Sequence, residues 1–354
     1  MASIRPLVHA DVPLVAALLR RHLHGSFELH ERFLAATLLD DPWTDSELPS
    51  LVAVDDDDDG ELVGFIGAQV RRMRLGDRRL RGVCCAHLVV APEHRRSAAG
   101  ALLLRRLMAG PQDLTWSDTA DDVVMRMWSV FGGYVDHTRA CDWMLALRPL
   151  RWGLDVLSSL ARRRDLAADL MPVRALPLQA AGRRLLPRAF PPPDRSLTSE
   201  PASAGAIAEH APAFADRGSI RPAYDADHLE HLFALVGATV GSLERRLVRR
   251  HGRAIGWYAY VTRAGGGSRV LHLAALDADL DAVVGEVVQR ARGQGGAVLS
   301  GRFEPRLEDA LRRRLAVLAL ARRPVVHARD PEIRDLLGRG SALITQLDGE
   351  WYAA

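Results

Sequence analysis

Hydrophobic and polar positions along residues 1–150 fall into a definite order of elements. Ile4 to Val8 reads as a first strand. Behind Asp11, a residue type that caps helices, Val12, Leu14, Val15, Leu18 and Leu19 recur at helical spacing. The spacing predicts a second helix from Phe27 to Leu39. Leu51–Val54, Leu62–Val70 and Leu80–Val90 read as strands, with a turn at Asp55–Gly60 after the first of them. After Val90 an apolar helix begins within ten residues. Asp113–Ser117 follows as a fifth strand, then a helix from Ala120 to about Phe131 that Gly132 and Gly133 end. Val135–Leu147 supplies one or two closing strands.

The order then restarts. Trp152–Leu170 has helical spacing, and Pro172, Pro177 and Pro187 interrupt the chain before a boundary at Pro191–Pro193. Thr198–Leu235 is expected to hold a short strand and two helices. Leu243–Arg250, Ala254–Thr262 and Arg269–Leu276 read as strands, the last two joined by a Gly265–Gly267 hairpin turn. A helix is predicted at Asp279–Ala291, a strand at Ala297–Ser300, a helix at Leu307–Leu318, a strand at Pro324–His327 and a short helix at Pro331–Leu337, before a last segment from Ala342. This pattern predicts an α/β chain with mixed central sheets flanked by helices. The expected division is a domain at 1–150, a helical, proline-rich connector at 151–196 and a second domain at 197–354.

Composition narrows this picture little. The 354 residues exceed one ordinary core, and 48% hydrophobic with 26% charged residues is an ordinary globular balance. No apolar run reaches membrane-spanning length, and the N-terminus lacks a secretory core, so a cytoplasmic location is expected. Cys84, Cys85 and Cys141 form no framework, and the adjacent pair reads as reduced core residues. All 47 basic residues counted as Lys or Arg are Arg, and Asn is absent too. Both missing residues have adenine-rich codons, which points to a GC-rich bacterial genome. A net charge of +3 gives no case for a nucleic-acid partner. The arginines at 162–164 and 312–314 read as solvated helix faces. Asp55–Asp59 sits on a hairpin tip where successive side chains diverge, so no metal site is expected.

One stretch carries chemistry. Leu88, Val89 and Val90 end a strand. His94, Arg95, Arg96, Ser97, Ala98, Ala99, Gly100 and Ala101 then form a turn with small residues that runs directly into a helix. First-turn amides of a helix have no partner within it, and its dipole favours anions there. Small side chains let that backbone approach a diphosphate.

This segment resembles the acetyl-CoA-binding motif of the GNAT acyltransferase superfamily, Gln/Arg-x-x-Gly-x-Gly/Ala. Arg95 fits the first position and Gly100 the last, while Ala98 stands where glycine is usual. That alanine fits only if the backbone there is helical. The element order of residues 1–150 is also that of GNAT domains. The second half repeats the order without the motif; Asp277, Asp279 and Asp281 crowd the corresponding helix start and would repel a diphosphate. The resemblance therefore implies two GNAT-like domains in tandem, the second degenerate.

What the resemblance implies is transfer of an acetyl or other acyl group from acyl-CoA to an amine of a small or peptide-like acceptor. The strand backbone at Leu88–Val90 would hold the pantetheine, and a backbone N–H near Val89 or Val90 the developing oxyanion. Asp121 falls where relatives carry an asparagine touching CoA. Candidate catalytic residues are His87, if a bulge turns it to the working face, and Asp118 at the end of the fifth strand. Trp128 occupies the place of the family's usual tyrosine acid, and indole cannot protonate a thiolate. Two other readings follow: a Fem-type transferase using charged tRNA, also built of twin GNAT folds, and a non-catalytic CoA-binding or scaffold protein.

Overall fold

A computed structural model describes residues 2–22, 31–55, 60–95, 97–148, 193–263 and 267–353. The connector expected at 151–196 therefore lies almost wholly outside the described residues. The chain divides into two compact units. The first is built from residues 1–140, 216–239 and 322–354, the second from 141–215 and 240–321. This division differs from a boundary near residue 150, because two later segments of the chain return to the first unit.

The first unit contains β1 (Ala2–Pro6), α1 (Val12–His22), α2 (Glu31–Leu38), β2 (Leu51–Asp55), β3 (Leu62–Leu75), β4 (Arg78–Val90), α3 (Ala99–Met108), β5 (Leu114–Ser117), α4 (Asp122–Val130) and β6 (Tyr134–Val135). Its sheet runs in the order β1-β2-β3-β4-β5-β15-β6, where β15 is Val325–Ala328. A further short strand, β9 (Ile220–Pro222), pairs with the end of β3. The long β3–β4 hairpin extends beyond the predicted strands because Gly76, at φ +58°, closes it tightly. Val63, Ile66, Val83, Leu103, Leu104 and Trp128 share one apolar cluster. Met73, Cys84, Trp116, Val326 and Ile344 share another. Leu14, expected on the buried side of α1, is 55% exposed.

The second unit holds β7 (Cys141–Ala146), β8 (Leu197–Pro201), α5 (Ala204–His210), β10 (Ser242–Arg250), β11 (Arg253–Thr262), β12 (Gly267–Ala275), α7 (Asp277–Gly293), β13 (Val298–Arg302), α8 (Glu308–Arg313) and β14 (Val317–Leu320). Between α5 and α7 in the chain lies α6 (Ala226–Thr239), which belongs to the first unit, as does α9 (Pro331–Gly338). The second sheet runs β14-β7-β13-β12-β11-β10-β8.

Three expectations change here. The strand after Gly133 splits: β6 stays in the first sheet, while β7 pairs with β13 and β14 in the second. Trp143 of β7 lies across Gly301, where a Cβ would sit 2.7 Å from the indole, so glycine makes room for this strand. The helix expected over 307–318 stops at Arg313. Leu315 adopts φ +58°, a left-handed conformation no helix continues through, and the chain proceeds as β14. Arg314, expected in solvent, is buried with Nη1 2.5 Å from Asp281 Oδ1.

Candidate functional site

The site begins where two parallel strands part. β4 and β5 pair only from Gly82–Cys84 against Leu114–Trp116. β4 then continues to Val90, held on its other side by β3, with Phe65 opposite Val89 and Gly64 opposite Val90. The half-buried Leu88, Val89 and Val90 therefore lie past the end of the β5 ladder. Between Phe65 and Gly67 the register shifts by one residue on the β4 side, and His87 sits in that bulge at φ +56°. The bulge on which a role for His87 depended is present.

The end of β4 passes through a single turn, Pro92–His94, into α3. His94 N donates to Ala91 O and Ser97 N to His94 O. Ala98 has φ −77° and ψ 1°, a helical conformation in which a methyl group costs nothing, so alanine serves where glycine is usual. Arg95, Ser97 and Ala98 are exposed, while Gly100 and Ala101 are half-buried. Ala99 turns its methyl into the core. A Cβ on Gly100 would lie 3.2 Å from Val90 Cγ2, so the helix starts in contact with the strand end. The first turn of α3 thus begins beside an exposed loop, where Ala99 N donates to Ser97 Oγ at 3.3 Å and the helix dipole favours an anion. Arg96 lies outside the described residues.

Asp121 is the N-cap of α4. Its Oδ1 accepts from Val123 N at 2.9 Å and Val124 N at 2.8 Å, which commits that oxygen to the helix. Trp128 is fully buried, its indole N–H without a hydrogen-bond partner among the described residues.

Asp118 has a partner that sequence spacing does not show. Glu350, in the last described segment, accepts at Oε2 from Asp118 N at 3.1 Å and from Thr119 Oγ1 at 2.9 Å. Glu350 N donates in return to Asp118 Oδ2 at 2.9 Å. A Cβ at Gly349 would collide with that carboxylate, so glycine permits the approach. Both acids are buried. Burial first, and the neighbouring Asp118 charge second, push the Glu350 carboxyl up to about 7. This carboxyl therefore holds its proton to higher pH than an exposed glutamate does.

Tyr352 follows two residues later. Its ring centroid is 5.2 Å from that of His87, and its hydroxyl accepts from Gln69 Nε2 at 3.4 Å. Burial and the nearby acids raise the phenol well above its ordinary range, so it stays protonated. His87 moves the other way: burial pulls it down to about 4, leaving a neutral ring and a weak base at pH 7. Cys84 and Cys85 are buried free thiols, both shifted upward by desolvation and therefore not thiolates.

The segment carrying Glu350 and Tyr352 is anchored by a buried arginine. Arg71 Nε donates to Asp348 O at 2.9 Å and its Nη2 to Gln69 Oε1 at 2.8 Å. Asp348 Oδ1 accepts from Tyr224 at 2.5 Å, and its Oδ2 from Thr345 N and Oγ1 at 2.8 Å each. A long cationic side chain held this way costs desolvation unless every donor is used, which ties the last segment to β3. Among the described residues no group of His, Cys, Asp and Glu has the arrangement of a metal site. No helix among them is long and apolar enough to cross a membrane.

Residues 17–118 match the model of the acetyltransferase (GNAT) family. No curated protein matches by sequence. Among solved structures, a conserved protein of Enterococcus faecalis V583 described as a probable N-acyltransferase is similar with a TM-score of 0.60 at 10% identity, covering 95% of this chain and 74% of that one. A GCN5-related N-acetyltransferase from Anabaena variabilis has a TM-score of 0.59 at 10% identity, over 93% of this chain and 73% of its own. One from Kribbella flavida has 0.53 at 14%, over 93% and 72%. Residues 17–118 thus match the GNAT acetyltransferase family model, and the fold of the chain is similar to that of these solved N-acyltransferase and N-acetyltransferase structures.

Proposed function

We propose that the first unit transfers an acyl group, acetyl in the simplest case, from acyl-CoA to the amine of a small or peptide-like acceptor. The observation that carries this reading is the junction of β4 and α3: an exposed small-residue loop, a helical Ala98 and a Gly100 packed on Val90 at the helix start. The backbone there would take the diphosphate, with Arg95 adding positive charge. Leu88–Val90, beyond the β5 ladder, offers strand amides for the pantetheine arm and the developing oxyanion. Acyl-CoA would supply an activated thioester carbonyl.

The chain's own acids and phenol supply the proton handling. Glu350, its basicity raised by burial and hydrogen-bonded to Thr119 and the Asp118 backbone, takes the proton of the incoming amine. Asp118 raises the basicity of Glu350 by its charge and fixes the turn that presents it. Tyr352, protonated and beside the bulge, replaces the acid that Trp128 cannot provide. Asp121 acts as a helix cap.

A second reading, a CoA-binding protein without turnover, is favoured by one observation: Glu350, Asp118 and Tyr352 are all buried. Calorimetry with CoA tests the shared part of both readings. Binding that disappears in Gly100→Glu supports the cradle, and undiminished binding in that variant removes both. Release of free thiol from acetyl-CoA in a panel of amines, lost in Glu350→Gln, separates transfer from binding.

A further inference from the structure

At the far end of α3 from the CoA cradle lies a cavity of about 570 Å³, within the usual size of a small-molecule site. A ten-residue helix spans about 15 Å, so the cavity is a separate place on the same element. Its floor is apolar: Leu48, Leu51, Ala68, Val83 and Leu107 belong to the core cluster under α3. Its rim is cationic, with Arg5, Arg106 and Arg329 against a single acid, Glu47.

Most of that rim is engaged. Arg5 is paired with Asp11 through both carboxylate oxygens, at 2.6 and 2.7 Å. Glu47 is held by Arg81 at 2.7 Å. Arg329 donates to Met108 O. The helix end needs nothing more, since Ala109 N bonds Arg105 O, and Leu107 O receives both Gly110 N and Gln112 Nε2. Arg106 alone of the rim cations forms no hydrogen bond or ion pair among the described residues. The wall also carries an unspent acceptor. Gln112 is 6% exposed; its Nε2 donates to Leu107 O and Thr115 Oγ1, while its Oε1 is buried without a partner. A buried acceptor left unpaired is costly, and native proteins retain few of them.

We propose that this cavity binds a small organic carboxylate with an apolar body. Arg106 receives the carboxylate, the floor under α3 takes the apolar body, and a hydroxyl or amine N–H on the ligand satisfies the Gln112 amide. The apolar side chains Leu48, Leu51, Ala68, Val83 and Leu107 favour an alkyl or aryl acid over a bare inorganic anion, which would leave them without an apolar partner. The inference is independent of the acyl-CoA reading: it uses no residue of the β4–α3 junction.

The test is an amide-resolved NMR titration of the full-length protein. The probes are phenylacetate, mandelate, hexanoate and 3-hydroxyhexanoate, each set against its neutral carboxamide. The expected result is saturable shifts at Leu48–Leu51 and Leu107–Gln112 with at least one acid, at least tenfold weaker with its carboxamide. Arg106→Ala should weaken that acid at least tenfold. Ala109→Trp, a bulky group at an exposed position beside the cavity, should abolish binding without lowering the melting temperature. Absence of shifts with all four acids up to 10 mM would overturn the proposal. So would equal binding of acid and carboxamide, or unchanged affinity in Arg106→Ala. Shifts confined to Ser97–Ala101 would instead assign the anion to the cradle.

Discussion

The two units use similar strand-to-helix junctions for opposite ends. In the first, β4 reaches α3 through an exposed loop, and the helix opens with Gly100 and Ala101. In the second, β12 runs into α7 with only Leu276 between them, and Asp277 and Asp279 occupy the first turn. Those acids are not idle. Asp279 is buried against Arg250 at 2.5 Å, and Asp281 holds the buried Arg314 at 2.5 Å. Each helix start presents a positive dipole end; the first is flanked by an exposed loop of small residues without acids, the second by the chain's own carboxylates. The bulge persists in both sheets, between Phe65 and Gly67 in one and at Ala259/Tyr260 in the other. A similar backbone therefore carries opposite charge at the two helix starts, and the proposed cradle rests on the residues there rather than on the fold.

The sharpest way to break this contrast is to give the first junction the charge of the second. Gly100→Glu places a carboxylate at the cradle and a side chain against Val90. CoA affinity measured by calorimetry is expected to fall at least a hundredfold, about 3 kcal/mol. Glu350→Gln should lower the rate of thiol release about a hundredfold at pH 7, the usual scale for a lost general base, while leaving CoA affinity within twofold.

Stability against pH tests the burial of the same groups. Glu350 has a raised folded pKa of about 7, so the folded state holds its proton longer than the unfolded chain does. Its contribution is present below the ordinary carboxylate range and is lost as pH rises toward 7. His87 has a lowered pKa of about 4, so its contribution is gained over a similar window as pH rises. Each is worth about 3 kcal/mol, with opposite sign. Denaturant melts from pH 4 to 7.5 should then show Glu350→Gln gaining stability with pH relative to the parent, and His87→Gln losing it. Parallel profiles for all three proteins would contradict the assigned burial.

In the second unit, Asp281→Ala strips Arg314 of its carboxylate and should cost about 2 kcal/mol in a chemical melt. The smallest effect is expected at Ala98→Gly. Because φ there is negative, restoring the family's glycine should change CoA affinity less than threefold.

The legibility of this protein in its sequence was uneven for physical reasons. The β4–α3 junction was readable because its chemistry is local: strand end, small residues and helix start follow one another within fifteen positions. The bulge at His87 was readable only as a condition, since a shift of one residue depends on which β3 residue lies opposite. The partner of Asp118 was not readable at all, because Glu350 is 232 positions away and their bond is made by a tertiary turn at Gly349. A buried Gly-Glu-Trp-Tyr run near the end, all apolar or charged residues without periodicity, was the one signal available.

By itself the sequence determined most element types, the small-residue loop before one helix start and the acids at the other, since propensity, charge and helix-end chemistry act over a few residues. Only the tertiary structure decided that β15 returns to the first sheet and the last segment to the first unit, that β7 leaves that sheet, and that two distant acids accept from each other's backbone amides. Those outcomes rest on burial and on pairing across hundreds of positions, where many strands of similar apolar pattern compete for the same edge and packing alone selects among them.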